Sequence, residues 1–476
     1  MAYRYGERRQ SLLLPPSIED FVQIDDPVRA YDAFVNALDL DGLGIAVEAH
    51  KRGCPEYFPR VMLKILVFGY ASGIRSSRKL ERALYHNIAF IWLAGGLKPD
   101  HKTICEFRRQ NKAALKQVLR QCARFCIELD LIEGNTLFVD GTKMRANASI
   151  NQTWDLDRCE KALERIEHRI EEILAECEQV DQQEQSQGSL VQLKDSLVRQ
   201  QTLQQKVNEV MEKLKSDHRE SLNATDPQCV KVQSRQGTHA GYNGQIVVDE
   251  QNGLIVHCDV VAENNERGQF ANQIEGAQQT LEKSCQVACA DAGYSNAETL
   301  EPVDQQGIRV IVPSEEQVHP EETGPFDKSR FPYNAQEDIY LCPAGQKLPC
   351  RRHEADRGRW VYGLLGKTCR QCEHFGVCTT NRLGRKLIRY DNEAFREKMR
   401  QEYDQPSSRA IFSRRKETAE LPFGHIKRNL GAGHLLIRGL EGARAEMSVL
   451  ASCFNMARLI GIFGVSCLLE KLGKLG

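Results

Sequence analysis

Neither sign of charge dominates this 476-residue chain: 64 Lys+Arg stand against 65 Asp+Glu, a formal charge of −1. That total excludes a uniformly basic protein and an acidic tail. Long hydrophobic runs are also missing. Leu12–Leu14 in MAYRYGERRQSLLLPP is too short for the apolar core of a secretion signal. The stretch from Leu459 to Leu469 falls short of the roughly 20 residues that span a bilayer. The expectation is a soluble, cytoplasmic protein. Disorder is excluded as well, since 41% of residues are hydrophobic and the 27% that are charged carry both signs. At roughly 100 to 200 residues per domain, the length allows two to four domains. Seventeen cysteines without a secretion signal would stay reduced, so clusters at ligand spacing read as metal sites before disulfides.

The neutral total hides opposed blocks. Residues 51–120 hold 15 basic and four acidic residues, a balance of +11; residues 381–440 hold 14 and seven, or +7; residues 151–190 hold four and 11, or −7. The first block reads as helices. Pro59 suits a first helical position, Ser76–Ser77 would cap a helix running through Leu80, Leu84 and Ile88, and Thr103-x-x-Glu106 has the capping-box pattern. The segment that follows turns Ile104, Phe107, Leu115, Val118, Cys122 and Phe125 to one face. Arg108, Lys112 and Lys116 then form a basic stripe at i, i+4, i+8, suited to phosphate contacts or to a solvated charged face.

From Asp155 to Arg219 the texture is long helix. Cys159, Leu163, Ile166, Ile170, Ile173 and Cys177 repeat at 4-3-4-3-4 spacing, Gln182–Ser189 breaks the pattern, and Leu190, Leu193, Leu197, Val207, Met211 and Leu214 resume it. An inserted antiparallel hairpin is the expectation, serving as an association surface or a spacer. Around it lie strand-like segments: 135–143, 245–250, 254–261, 286–291 and 308–313. Asn252-Gly253 joins the second to the third as a hairpin turn, and a helix over 268–283 implies a crossover. The fold class is therefore α/β with a mixed sheet.

Asp140 and Asp291 stand at or near the ends of apolar strands, where carboxylates from different strands can converge on a hard cation. Strand-terminal aspartates are also common turn formers. Glu420, with a helix break expected near Pro422 and Lys427 seven residues on, supplies a third acid beside Arg415, Lys416 and Arg428. Three carboxylates holding two Mg2+ ions suit phosphodiester cleavage. Cys369-x-x-Cys372, Cys378 and Cys342 form a candidate Zn2+ set, with Cys350 and His374 as substitutes. Gly366-Lys367-Thr368 is not a phosphate-binding loop, because Val361 occupies the position that requires glycine.

Taken together, Arg52–Asn111, VDGTKMRANAS around Asp140, TDPQC at Thr225–Cys229, GYNGQ at Gly241–Gln245, ADAGY around Asp291, Arg414–Gly431 and Arg438–Leu459 resemble the DDE transposases of bacterial insertion sequences. The resemblance covers most of the chain, with the motifs in the family's order. It implies an RNase H-like catalytic core over 131–460, preceded by a helical DNA-binding domain over 1–130. The hairpin (155–219) and a Cys-rich segment (335–385) would be insertions, and 461–476 a tail. It implies Asp140, Asp291 and Glu420 as ligands of Mg2+ or Mn2+, and Lys427 as the lysine that contacts the transposon end. Phe412 stands nearest the place of the family's tyrosine, and either Arg415 or Lys416 fills the adjacent basic role; Glu417 lacks the seven-residue step to Lys427. The implied partners are transposon-end and target DNA and a second copy of the chain, at the nucleoid. Two rivals are a transposase-derived DNA-binding protein that no longer cuts, and a nuclease that cleaves without joining.

Overall fold

The computed structural model describes residues 17–47, 56–182, 187–217, 219–234, 237–319 and 324–474. Leu12–Leu14, the middle of the Gln182–Ser189 break and the first residues of the Arg52–Asn111 motif lie outside them, as does the side chain of Leu190. The N-terminal region is helical: α1 (Pro27–Ala37), α2 (Pro59–Ala71), α3 (Ser77–His86), α4 (Ile88–Leu93), α5 (His101–Gln110) and α6 (Lys112–Glu128). Pro59 opens α2 as expected. Three expectations fail for local reasons. Asn87 ends α3 and accepts the amide of Ala89, so Ile88 begins a new helix. Asp100, not Thr103, caps α5, while Glu106 pairs with Arg109. Asn111 separates α5 from α6 and interrupts the basic stripe.

Strand β1 (Thr136–Arg145) leads to β2 (Thr153–Trp154), α7 (Leu156–Gln182), α8 (Gln187–Ser216) and β3 (Leu222–Asn223). Helices α7 and α8 pack through Cys159, Ile166, Val207 and Leu214, the repeat positions of the sequence, and β2 pairs with β3 at their base. The main sheet adds β4 (Val230–Ser234), β5 (Gly237–Asp249), β6 (Ile255–Val261), β7 (Val287–Cys289) and β8 (Arg309–Ile311). Its order is β4-β5-β1-β7-β8, with β6 also on β5. Strand β5 runs antiparallel to β1, β4 and β6; β7 is parallel to β1 and β8. This is the mixed sheet expected. Helices α9 (Phe270–Leu281) and α10 (Ala297–Asp304) supply the crossovers.

After the short helix α11 (Glu315–Val318) comes a second, antiparallel sheet: β9 (Tyr333–Asn334), β10 (Ile339–Leu341), β11 (Lys347–Glu354), β12 (Arg359–Gly363) and β13 (Lys386–Tyr390), with α12 (Gly366–Arg370) between the last two. It overruns the expected 335–385 segment at both ends. The chain closes with α13 (Glu393–Asp404), α14 (Pro406–Arg428) and α15 (Leu440–Leu472). No break occurs at Pro422, which sits inside α14. The tail expected over 461–476 is largely the end of α15, where Leu468 and Leu472 are buried. By length and composition α15 would pass as a membrane span. Its Gly442–Met456 stretch is buried except at Arg444, and the helix packs on α1, α2, α6 and β6.

A buried ion pair joins the N-terminal helices to the rest. Arg75 meets Glu446 of α15 at 2.8 Å and donates to the carbonyls of Gly431 and His434, while Glu446 accepts the amides of Leu436 and Ile437. Arg75→Met would leave Glu446 buried without its counter-charge. The expected loss is about 3–5 kcal/mol of unfolding free energy in urea titration; a loss under about 1 kcal/mol would show that the pair does not hold the halves together.

Candidate active site

Parallel register brings the first two acids together. Phe138 of β1 lies opposite Cys289 of β7, and two residues further along each chain come Asp140 and Asp291. A step of two keeps Asp140 on the face of Phe138, which packs with Cys289, Ile311 and Ala419 of α14. Asp291 lies just beyond the strand, where its Oδ1 accepts the amide of Gly293 at 2.9 Å and caps a single turn. Arg415 of α14 points into this corner. Its Nη1 lies 3.3 Å from Asp140 Oδ1 and 4.0 Å from Asp291 Oδ2, and its Nε finds no acceptor. Phe412, one turn back, lies under the guanidinium and against Tyr403. Between Arg415 and Lys416, the structure turns Arg415 inward and leaves Lys416 exposed.

Glu420 does not join the pair. Arg415 and Ala419 share the sheet-facing side of α14, and one residue more rotates the side chain about 100° away. Glu420 is exposed there, and among the described residues nothing connects it to either aspartate by hydrogen bond or ion pair. It lines a cleft of about 700 Å³ with Thr142, Lys143, Arg145, His239, Lys427 and Arg428. Lys427 is fixed at the cleft wall by Thr142 Oγ1 (2.6 Å) and the carbonyl of Lys143 (3.1 Å). A second hollow, of about 610 Å³, shares Arg145 and His239 and adds His434 and Arg438. These four basic groups were not singled out from sequence, because they come from separate segments that only the fold joins.

A fourth acid was missed altogether. Glu266, in the loop before α9, pairs with Lys143 at 3.1 Å and acts electrostatically on both aspartates. The motifs around it are stitched together: Tyr294 of ADAGY donates to Gln245 of GYNGQ, and Tyr242 of GYNGQ donates to buried Asp226 of TDPQC at 2.8 Å. Among the N-terminal candidates, Arg108 is no surface group. It is buried and donates to Tyr70 Oη, the Arg75 carbonyl and Ser77 Oγ. Lys112 is half-buried, and Lys116 and Arg428 are exposed.

Cys342, Cys369, Cys372 and Cys378 line one cavity of about 40 Å³ beneath the second sheet, with His374 at its wall. Two of the thiols already accept backbone amides, Cys342 from Gln346 (3.2 Å) and Cys369 from Arg385 (3.4 Å). Cys350 lies outside this lining. Among the described residues no three His, Cys, Asp or Glu side chains already stand as a metal's ligand set.

Comparison with known families defines the class. Residues 16–110 match the model described as "Transposase domain (DUF772)", and residues 217–456 match the model described as "Transposase DDE domain". The chain belongs to the DDE transposases of insertion sequences. Proteins of this family act on DNA and use divalent metal ions. The second match begins after β1 and the α7–α8 pair, so Asp140 lies outside it. No curated protein and no solved structure matched the chain.

Burial pushes the Asp140 carboxyl up to about 7; Arg415 opposes the rise, and Asp291 and Glu266 add to it. Asp291 is raised too, first by burial. A carboxyl that holds its proton more tightly when folded stabilises the fold at low pH and loses that contribution as pH climbs through its folded value. Without added divalent cations, stability should therefore fall between pH ~4 and about 7. Asp140→Asn should flatten that slope in urea unfolding across the range. An unchanged slope would place the titration elsewhere.

Proposed function

We propose that this transposase binds the terminal inverted repeats of its insertion sequence, cleaves at the ends and joins each freed 3′-hydroxyl to target DNA. The observation that carries the reading is the Asp140–Asp291 pair, held by one guanidinium where the parallel pairing of β1 and β7 ends, with a basic cleft lined by Thr142 and Lys143 next along β1. Antiparallel strands followed by parallel ones support an RNase H-like core. The helices before residue 130 would bind the ends, with Lys112 and Lys116 as phosphate contacts. Holding two ends at once calls for at least a dimer, working at the nucleoid in the cytoplasm.

The aspartates fit a hard divalent cation, Mg2+ or Mn2+. They supply only oxygen donors, one is buried, and a lone guanidinium with an unsatisfied Nε offsets them. Asp140 and Asp291 would hold it, with Glu420 reaching in from the cleft side. Bound there, such ions activate the attacking oxygen and stabilise the leaving one. The chain's own groups do the rest. Lys427, braced against β1, neutralises a phosphate next to the acids; Arg428 and Lys416 extend the positive surface along α14. Arg415 keeps two like charges in one corner before the cation arrives.

Labelled terminal-repeat DNA incubated with Mg2+ should be cut by the native protein. Asp140→Asn and Glu420→Gln should cut at least about a hundredfold more slowly while still retarding the DNA in gels. Cleavage without joining to a target plasmid would favour a simple nuclease. No cleavage, or equal cleavage by the variants, would sink the proposal.

The four thiols that share this cavity would hold a structural Zn2+, which would tie together the segments that carry them. Protein purified without chelator should carry about one zinc per chain, and Cys372→Ser should lose most of it together with thermal stability. Full occupancy in that variant would exclude the set.

A further inference from the structure

We propose that Glu266 is a further ligand of the divalent cation assigned to Asp140 and Asp291, an inference that rests on that assignment. The site would then draw its acids from the middle of β1, the loop after β6 and the end of β7, in addition to Glu420 on α14.

Two glycines carry the argument. Gly141 follows Asp140, and Gly293 lies two residues beyond Asp291. A Cβ on Gly141 would stand 2.7 Å from Gln245 Nε2, 2.8 Å from Tyr294 Oη and 2.9 Å from Glu266 Oε1, and a Cβ on Gly293 would stand 2.9 Å from Glu266 Oε2. The carboxylate thus reaches from one aspartate segment to the other, against a glycine on each. That same point beside Gly293 is 3.0 Å from Asp291 Oδ1, so the Glu266 and Asp291 oxygens lie less than 6 Å apart. Glu266 is also one of the charges that raise both aspartates.

A hard cation of this kind takes six or more oxygen ligands, and carboxylates supply the negative charge that holds it. Glu420 lines the cleft together with Lys427 and Arg428. Glu266 pairs with Lys143 at 3.1 Å. Exchanging that monovalent partner for a divalent one needs no movement of the strands, only rotation of the lysine. If Glu266 instead serves only to anchor Lys143 and the loop before α9, its loss would alter stability and leave cation affinity alone.

Titrating the full chain with Mn2+, without DNA, separates the cases. Glu266→Gln should raise the Mn2+ dissociation constant at least about tenfold, as should Asp291→Asn, while Glu266→Asp should recover part of the affinity. Circular dichroism of each variant checks that it is folded. Native affinity in Glu266→Gln alongside weakened binding in Asp291→Asn would overturn the role of Glu266 and spare the aspartate assignment. Native affinity in both would overturn the assignment, and the inference with it. Should Glu266→Gln fail to fold, Glu266→Asp and Glu266→Ala decide the matter, the alanine removing the carboxylate outright. Unchanged Mn2+ affinity in both of these would equally overturn the inference.

Discussion

The buried pair between Arg75 and Glu446 fixes more of this molecule than any catalytic group does. Arg75 lies just before α3, Glu446 early in α15, and the segment they organise, Gly431 to Ile437, directly follows the helix that carries Arg415, Glu420 and Lys427. Four backbone groups of that segment bond to one side chain or the other. Arg108 completes the arrangement by donating to the Arg75 carbonyl. Removing two full charges from water is costly, and the arrangement holds because nearly every donor and acceptor is used. The consequence is mechanical: the N-terminal helices and α14 are not free to move independently, since both are tied to the same carboxylate and guanidinium.

Charge is distributed on the same logic around the candidate site. The total of −1 conveys nothing about it. On α14 a few residues divide the work by their angle about the axis. Arg415 and Ala419 face the sheet, while Glu420 and Lys427, seven residues and nearly two full turns apart, share the flank that looks into the cleft. A continuous helix is necessary for that division. A break at Pro422 would have uncoupled Glu420 from Lys427; the proline instead packs inward with Ala419 and Ile426, and the helix passes through it.

Much of this was legible in the sequence where the signal was local. Apolar segments marked β1, β6, β7, β8 and the second half of β5, but not β4; Asn252-Gly253 marked the β5–β6 hairpin, and the heptad spacing identified residues that are buried between α7 and α8. Failures came where a neighbour in space competes with a neighbour in sequence. Thr103-x-x-Glu106 has the letters of a capping box, yet Asp100 reaches the amide first. Arg108 has the spacing of a phosphate-binding stripe, yet Tyr70, Arg75 and Ser77 surround it. Glu266 carried no signal at all, because a glutamate in a polar loop looks like any solvated residue until the two glycines beside it are known to be close.

The glycines therefore say something that the acids alone do not. Aspartates at strand ends are common and usually bond their own backbone, as Asp291 does with Gly293. A carboxylate that lies against two glycines, one within β1 and one just after β7, is a stronger constraint: three segments meet at one group. Tyr294 and Gln245 meet at this place, Lys143 turns toward Glu266 and Lys427 of α14 turns toward Thr142. Neighbouring positions of β1 point to opposite faces, so Lys143 and the Thr142 that holds Lys427 lie on opposite sides of the strand. Strand β1 is thus the axis of the site, even though the matched transposase region begins only after it.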